Sequence, residues 1–429
     1  MGTGSTLFDV ILEKRLMSTM KRKRKAAWKK IVAGWKKLPK KIDGALGNVA
    51  IWHVNRRLAG EKLEDKVLFL PFSGRYECNA KYICEELRRQ KLPYKLVWGI
   101  NPDSAKNLTG LPPDVKPVVR GTYEFFREAA TSRVIVDNGI SVVTLRYKKK
   151  PGQTLIETWH GAIGIKKFSP DTNKDKKWVK NAFAEAAITD YLISNSAFED
   201  EVYREDYWKT APIWRFGHPR NDILFCRDEA VLSALREKIF GTYHLPRGAK
   251  LCLYAPTFRD NRDLKPYMID YSRLTEALHT RFGGEWVILT RLHWRLRNMM
   301  SKVKLPENVV NVSDYPDIQE LMAIIDCGVT DYSSWICEYL ETRKPGFFFA
   351  TDLKAYQEDN RAFFFPLESM PFPVATDNWA LEENILSFDE DKFSADCDAF
   401  LEKYGCVDDG HASERVAEQI KRLMEGAKE

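Results

Sequence analysis

"CGVTDYSSWICEYLE", residues 327 to 341, is the stretch whose reading decides the fold. An apolar run ends at Val329, Thr330-Asp331-Tyr332-Ser333-Ser334 makes a polar turn, and "WICEYLE" resumes at helical spacing. A short buried strand running through a turn into a helix is half of a β-α-β unit. Working outward, the same alternation continues on both sides. "LCLYAPT" (251–257), "EWVILTR" (285–291), "NVVNVS" (308–313), "IIDCGVT" (324–330) and "PGFFFA" (345–350) read as strands of one sheet. Upstream, "KVLFLPF" (66–72), "YKLVWGI" (94–100), "SRVIVDN" (132–138), "TLIETW" (154–159) and "DYLISNS" (190–196) read as strands of another. Segments such as "NAKYICEELRRQK" (79–91) and "YEFFREAA" (123–130) carry amphipathic helical spacing between them. Apolar runs alternating with helices imply parallel sheets covered on both faces. The Pro/Gly stretch "HLPRGAK" (244–250) separates two doubly wound domains of similar size.

Composition agrees with this division. A chain of 429 residues is too long for one ordinary core, and 44% hydrophobic with 30% charged residues is a globular balance. No apolar stretch reaches the roughly 18 to 20 residues that cross a bilayer. The eight cysteines form no C-x-x-C pair and no dense framework, which reads as reduced thiols and a cytosolic setting. The basic start lacks the apolar core of a signal peptide, and Met1-Gly2-Thr3-Gly4-Ser5-Thr6 is too short a pattern to be taken for a lipidation site.

Charge is concentrated at one end. Residues 1–41 hold 13 Lys and Arg against Asp9 and Glu13, so the rest of this +7 chain is slightly acidic. Within that arm Trp28, Ile31, Val32, Trp35 and Leu38 share one helical face and lysines fill the other. The pattern is expected to lie on an anionic membrane surface. A solvated helix and a nucleic-acid arm are the alternatives; no nucleic-acid module follows, so nucleic acid is not an expected partner.

In open α/β sheets ligands bind beyond the carboxyl ends of the strands. There the sequence places His160 ("TWHG"), Lys166, Arg220 and Asn221 ("RFGHPRNDIL", 215–224), Arg259 ("YAPTFRDN", 254–261), and Arg291 and His293 ("VILTRLHW", 287–294). Ser or Asp capping the helix after Val329 would add free backbone N–H groups for an anion. Cations, a helix terminus and an imidazole around one cleft suit phosphoryl-group chemistry. The phosphate loop, dinucleotide fingerprint, nucleophile elbow and H-E-x-x-H motifs are absent. "DCD" (396–398) lies in a polar segment and reads as surface; no metal or cofactor is expected.

"TWHGAIGIKK", "FGHPRNDIL", "YAPTFRD", "RLHW" and "YPDIQELMAIIDCGVTDYSSWICEYLETRKPGFFFATDLKAY" together resemble the ordered motifs of the CDP-glycerol glycerophosphotransferase family, over about residues 60 to 385. The resemblance implies a GT-B fold: two Rossmann-like domains, 61–245 for the acceptor and 246–385 for the CDP-polyol donor. Residues 386–429 are then expected as helices packing back on the first domain, and residues 1–60 as an amphipathic membrane-surface segment. It implies His160 and His293 as the catalytic pair, with Thr330, Ser333, Ser334 and Glu338 as donor contacts. Arg291, Arg259, Arg220, Asn221 and Lys166 are the further phosphate-side candidates. The expected reaction moves glycerol phosphate from CDP-glycerol, or ribitol phosphate from CDP-ribitol, to a polyprenyl-diphosphate-linked acceptor or a growing teichoic acid or capsule polymer. The expected place is the cytoplasmic face of the membrane. Two departures stand out: "WHGAIGIKK" replaces the family's W-H-G-T-P-L-K-K, and His218 stands where a tyrosine is usual. Glycosyl transfer from a nucleotide sugar, and a non-catalytic polymer-binding protein, are the alternatives the fold leaves open.

Overall fold

The computed structural model describes residues 40–102, 108–161, 164–259, 265–292, 305–359 and 362–426. Two parallel sheets carry the molecule. The first runs β3-β2-β1-β4-β5-β6-β7 and the second β10-β9-β8-β11-β12-β13. The first comprises β1 (Glu64–Leu70), β2 (Lys95–Ile100), β3 (Lys116–Val119), β4 (Ser132–Asp137), β5 (Thr154–Glu157), β6 (Tyr191–Ser194) and β7 (Ile213–Arg215). In the second are β8 (Lys250–Tyr254), β9 (Trp286–Thr290), β10 (Val309–Asn311), β11 (Cys327–Thr330), β12 (Gly346–Phe349) and β13 (Val374–Ala375). Numbered within its own domain, each sheet has the order 3-2-1-4-5 and onward, the doubly wound order. Its reversal lies between β1 and β4 in one sheet and between β8 and β11 in the other. The expected two-domain α/β architecture is what the structure shows.

The core follows from the strand sequences. Val67, Leu68 and Phe69 of β1 and every residue of β9, β11 and β12 are buried, because helices cover both faces. Strands β3, β7 and β13 carry no clear apolar run in the sequence. β3 contains Pro117, which a sheet tolerates at its edge, and the other two have three and two residues.

Two boundary expectations need correction. Helix α1 (Lys40–Leu58) does not belong wholly to a membrane arm. Ala50, Val54 and Leu58 form a buried stripe, and Val54 and Leu58 join Phe125 and Phe126 of the first domain. Residues 1–39 lie outside the described residues. At the other end, the helix Glu390–Tyr404 packs Phe393, Cys397 and Phe400 into the second domain's core. The last helix, Ala412–Glu425, crosses back, seating Val416, Ala417, Ile420 and Met424 against Val67, Phe69 and Ile83 of the first domain. Gly405 makes the crossing, at φ +63; a Cβ there would stand 2.8 Å from that of Ala197. Along the helix Glu390–Tyr404, Asp398 meets Arg343 at 2.7 Å and Asp396 pairs with Lys392 on the surface.

Side chains tie the domains together. Helix α2 (Cys78–Arg89) sends Lys81 Nζ to Asp317 Oδ2 at 2.7 Å and to Glu320 Oε1 at 2.5 Å. Asp317 also caps the helix Ile318–Ile324 through its other oxygen, with Gln319 N at 3.1 Å. One carboxylate thus fixes both a helix start and the domain approach.

Candidate active site in the interdomain cleft

His160 sits three residues beyond β5, after a sharp turn in which Trp159 adopts φ +50. Asn79 holds this turn from α2, giving Nδ2 to the carbonyls of Thr158 at 3.0 Å and Trp159 at 3.1 Å. The imidazole Nδ1 lies 2.7 Å from the carbonyl oxygen of Asn138. A carbonyl only accepts, so the proton is on Nδ1 and the lone pair on Nε2. Burial pushes the His160 pKa down to about 4, with nearby Arg220 lowering it further and the Asn138 carbonyl opposing. The ring is neutral at neutral pH.

Under this loop lies a feature that sequence reasoning missed. Asp137, Glu157 and Glu185 are fully buried, with one oxygen from each within 4.8 Å of the others. Asp137 accepts from Gly139 N at 3.1 Å and Val142 N at 3.2 Å, Glu157 from Trp159 N at 2.8 Å, and Glu185 from Val143 N at 2.7 Å. Burial raises all three, Glu185 to about 9. These carboxyl groups shape the two loops that carry Asn138 and His160. The residues sit at three separate strand and helix ends, so no local motif announces them.

Two cavities of about 170 Å³ each flank His160. The first is lined by Phe72, Asn138, His160, Arg220, Arg291 and Gln319, drawn from both domains. The second is lined by His160, Lys166, Phe168, Glu199, Tyr203 and Ser334. The imidazole is therefore shared between them. A larger groove of about 690 Å³ runs along the last helix, but none of the expected site residues lines it. Its Arg89, Arg415 and Arg422 pair with Glu86, Asp409 and Glu418.

The cations divide by what they already hold. Arg220 is 7% exposed and grips Glu338, through Nε to Oε2 at 2.9 Å and through Nη2 to Oε1, while Nη1 reaches the His160 carbonyl at 2.8 Å. Gln319 Nε2 donates to the same carboxylate at 2.6 Å. Arg220 and Glu338, expected as separate phosphate and donor contacts, are thus each other's partners across the domain boundary. Arg259 likewise gives Nε and Nη2 to Asp352, both at 2.8 Å, and Nη1 to Asp331 at 2.7 Å. Arg291 differs: it donates only to the carbonyls of Val312, Tyr315 and Pro316, with no carboxylate ion pair among the described residues. His293 lies outside the described residues.

The serine turn also departs from expectation. The helix after it, Trp335–Tyr339, has five residues, and Ser334 stands at its cap without a side-chain capping bond. Asp331 organises the turn instead, accepting from Thr257 N at 2.7 Å and from Tyr332 N. Ser333 and Ser334 are half-buried. Thr330 is buried, with Oγ1 donating to the Ala255 carbonyl at 2.8 Å. Asn221 is fully buried, and its amide has no hydrogen-bond partner among the described residues; it lines neither cavity. His218 is buried against Glu199, with Nε2 3.0 Å from Oε2. Burial pulls its pKa down, but the Glu199 carboxylate outweighs this and the net shift is upward.

With this geometry in place, comparison with known proteins identifies the family. Residues 53–422 match the family described as CDP-Glycerol:Poly(glycerophosphate) glycerophosphotransferase, and the chain belongs to it. It is 29% identical over 400 residues to the teichoic acid poly(glycerol phosphate) polymerase of Staphylococcus epidermidis, covering 87% of this chain and 54% of that protein. A polymerase of the same description from Bacillus spizizenii is 28% identical, with 87% and 96% covered. The chain spans about half the length of the first two curated relatives, 54% and 48%. A solved structure of the wall teichoic acid polymerase TagF, a variant soaked with CDPG, superposes with a TM-score of 0.77 at 27% identity, covering 90% of this chain and 96% of that one. The GT-B expectation stands.

Proposed function

We propose that this chain transfers a glycerol phosphate unit from CDP-glycerol to a hydroxyl of a lipid-linked saccharide or growing teichoic acid or capsule polymer, releasing CMP. The observation that carries the reading is an imidazole in the interdomain cleft with Nδ1 turned to the Asn138 carbonyl, its Nε2 without a hydrogen-bond partner among the described residues and Arg291 lining the same cavity. In this mechanism the acceptor oxygen attacks the phosphorus that bears glycerol, its proton passes to His160 Nε2, and the bond from phosphorus to the CMP oxygen breaks. A base whose pKa is about 4 when the cleft is empty is weak. A bound diphosphate raises it, because adjacent negative charge favours the imidazolium.

Arg291, with His293 beside it in sequence, stabilises the transferring phosphate. Ser333, Ser334 and Lys166 meet the donor from the second cavity's side. Arg220, Glu338, Arg259, Thr330 and Asn221 support these groups from behind: four hold pairs or bonds that position the walls, and Asn221 is enclosed nearby. No metal or cofactor enters this reading. Residues 1–41 hold the enzyme to an anionic membrane surface on its cytoplasmic face; among the described residues no helix is long and apolar enough to cross a membrane.

The test is a donor panel of CDP-glycerol, CDP-ribitol and nucleotide sugars against a synthetic lipid-linked acceptor. CMP release with CDP-glycerol, and a product longer by one or more glycerol phosphates, is the expected result. Nucleoside diphosphate release from a sugar donor would overturn it, and preference for CDP-ribitol would reassign the polyol.

A further inference from the structure

Phe72 is a large ring that the reaction above does not use. It follows β1 at the first domain's sheet reversal and is 60% exposed, although aromatic side chains of this size are mostly withdrawn from water. Its ring lies flat on His160, with centroids 4.7 Å apart and planes 10° from parallel. Asn138, which follows β4 on the other side of the reversal, fixes both rings. Its Oδ1 accepts from Phe72 N, and its main-chain oxygen accepts from His160 Nδ1–H. Gly139 leaves room for the stack: a Cβ there would stand 3.3 Å from Phe72 Cβ and 3.8 Å from His160 Nδ1. A ring anchored this closely through its backbone, yet exposed beside the imidazole, is placed to be touched.

We propose that Phe72 is a positioning residue for the transfer: its inner face keeps the His160 imidazole dry and in plane, and its outer face receives the C–H surface of the acceptor's terminal polyol or sugar. The inference rests on the glycerophosphate-transfer reading and adds the acceptor's docking face to it. Weakly positive C–H groups pack well on the negative face of an aromatic ring. The charged and titratable groups around His160 are Arg220 from the junction, Glu77 and Cys78 at the start of α2, Arg291 and Asp317 from the second domain, and Lys166, Glu199 and Tyr203 in the other cavity. Phe72 is paired with none of these in an ion pair or side-chain hydrogen bond among the described residues. Trimming it therefore changes the water at the imidazole while leaving these charges in place.

The experiment uses the full chain with CDP-glycerol and a short synthetic lipid-linked glycerol phosphate acceptor, comparing wild type, Phe72→Ala and Phe72→Tyr. In Phe72→Ala the acid limb of kcat/KM moves up by about one pH unit or more, toward the ordinary imidazole value of about 6.5. The KM for acceptor rises roughly tenfold while that for CDP-glycerol stays within about twofold, the split expected when one uniform contact to one substrate is lost. Phe72→Tyr, which keeps the ring, restores both parameters. An acid limb or acceptor KM that Phe72→Ala leaves unmoved overturns the proposal, as does failure of Phe72→Tyr to restore them. A wild-type chain that releases no CMP removes the transfer reading and this inference with it, a result distinct from an active wild type indifferent to Phe72→Ala.

Discussion

Arg259 and Arg291 leave the second sheet from adjacent strands, β8 and β9, and hold different partners. Arg259 is 2% exposed, gripped by Asp331 and Asp352 and flanked by the rings of Tyr332 and Tyr356 at 4.9 and 4.8 Å. Arg291 is oriented by three backbone carbonyls. Carboxylates cancel a guanidinium's charge; carbonyl dipoles aim it without cancelling it. One arginine is consequently a brace between the β8 loop, the serine turn and Asp352. The other makes no carboxylate ion pair among the described residues and lines the cavity that His160 shares, with Glu77 and Asp317 as the nearby carboxylates. A cation at a strand end is a phosphate candidate only when its charge is still unspent.

The sharpest way to break this contrast starts on the opposite wall. His160→Ala is expected to lower CMP release about 10²- to 10⁴-fold, the usual weight of a general base, with the thermal midpoint nearly unchanged. Arg259→Gln strands two carboxylates and should cost about 3–5 kcal/mol of unfolding free energy in a denaturant titration. Arg291→Gln should reverse that pattern, lowering kcat/KM about 10²- to 10³-fold while stability barely moves. If Arg259→Gln loses activity without stability, and Arg291→Gln the opposite, the division fails. The smallest effect belongs to His218. A histidine whose folded pKa is raised contributes stability below about pH 6.5, lost as pH climbs through the folded value. Unfolding free energy compared between about pH 6 and pH 9 should therefore fall more for wild type than for His218→Gln.

The architecture was legible because both sheets are parallel and buried. Runs such as "KVLFLPF" and "EWVILTR" have no polar alternation to confuse them, and the strand-to-helix turns fall where ligands bind. The placement of His160 at a cleft was legible for the same reason. What each cation holds was not. The partner of Arg220 lies 118 residues away and those of Arg259 lie 72 and 93 residues away, so spacing along the chain carries no trace of them. The serine turn misled in another way: Asp331 took Tyr332 N at the turn and Thr257 N beside it, and the main-chain carbonyls of Ser333 and Ser334 took Ile336 N and Cys337 N at the helix start. Phe72 and Asn138 escaped notice because neither titrates; only their contact with His160 marks them.

The protonation state of His160 tests the account most directly. Nitrogen NMR of the chain labelled at histidine, followed from about pH 7 down to about pH 4, reads both the tautomer and the titration of that ring. The account predicts a neutral ring at pH 6 carrying its proton on Nδ1, with titration reaching its midpoint only near pH 4. An imidazolium already formed at about pH 6, or a proton resident on Nε2, would leave the acceptor hydroxyl without a base and contradict it.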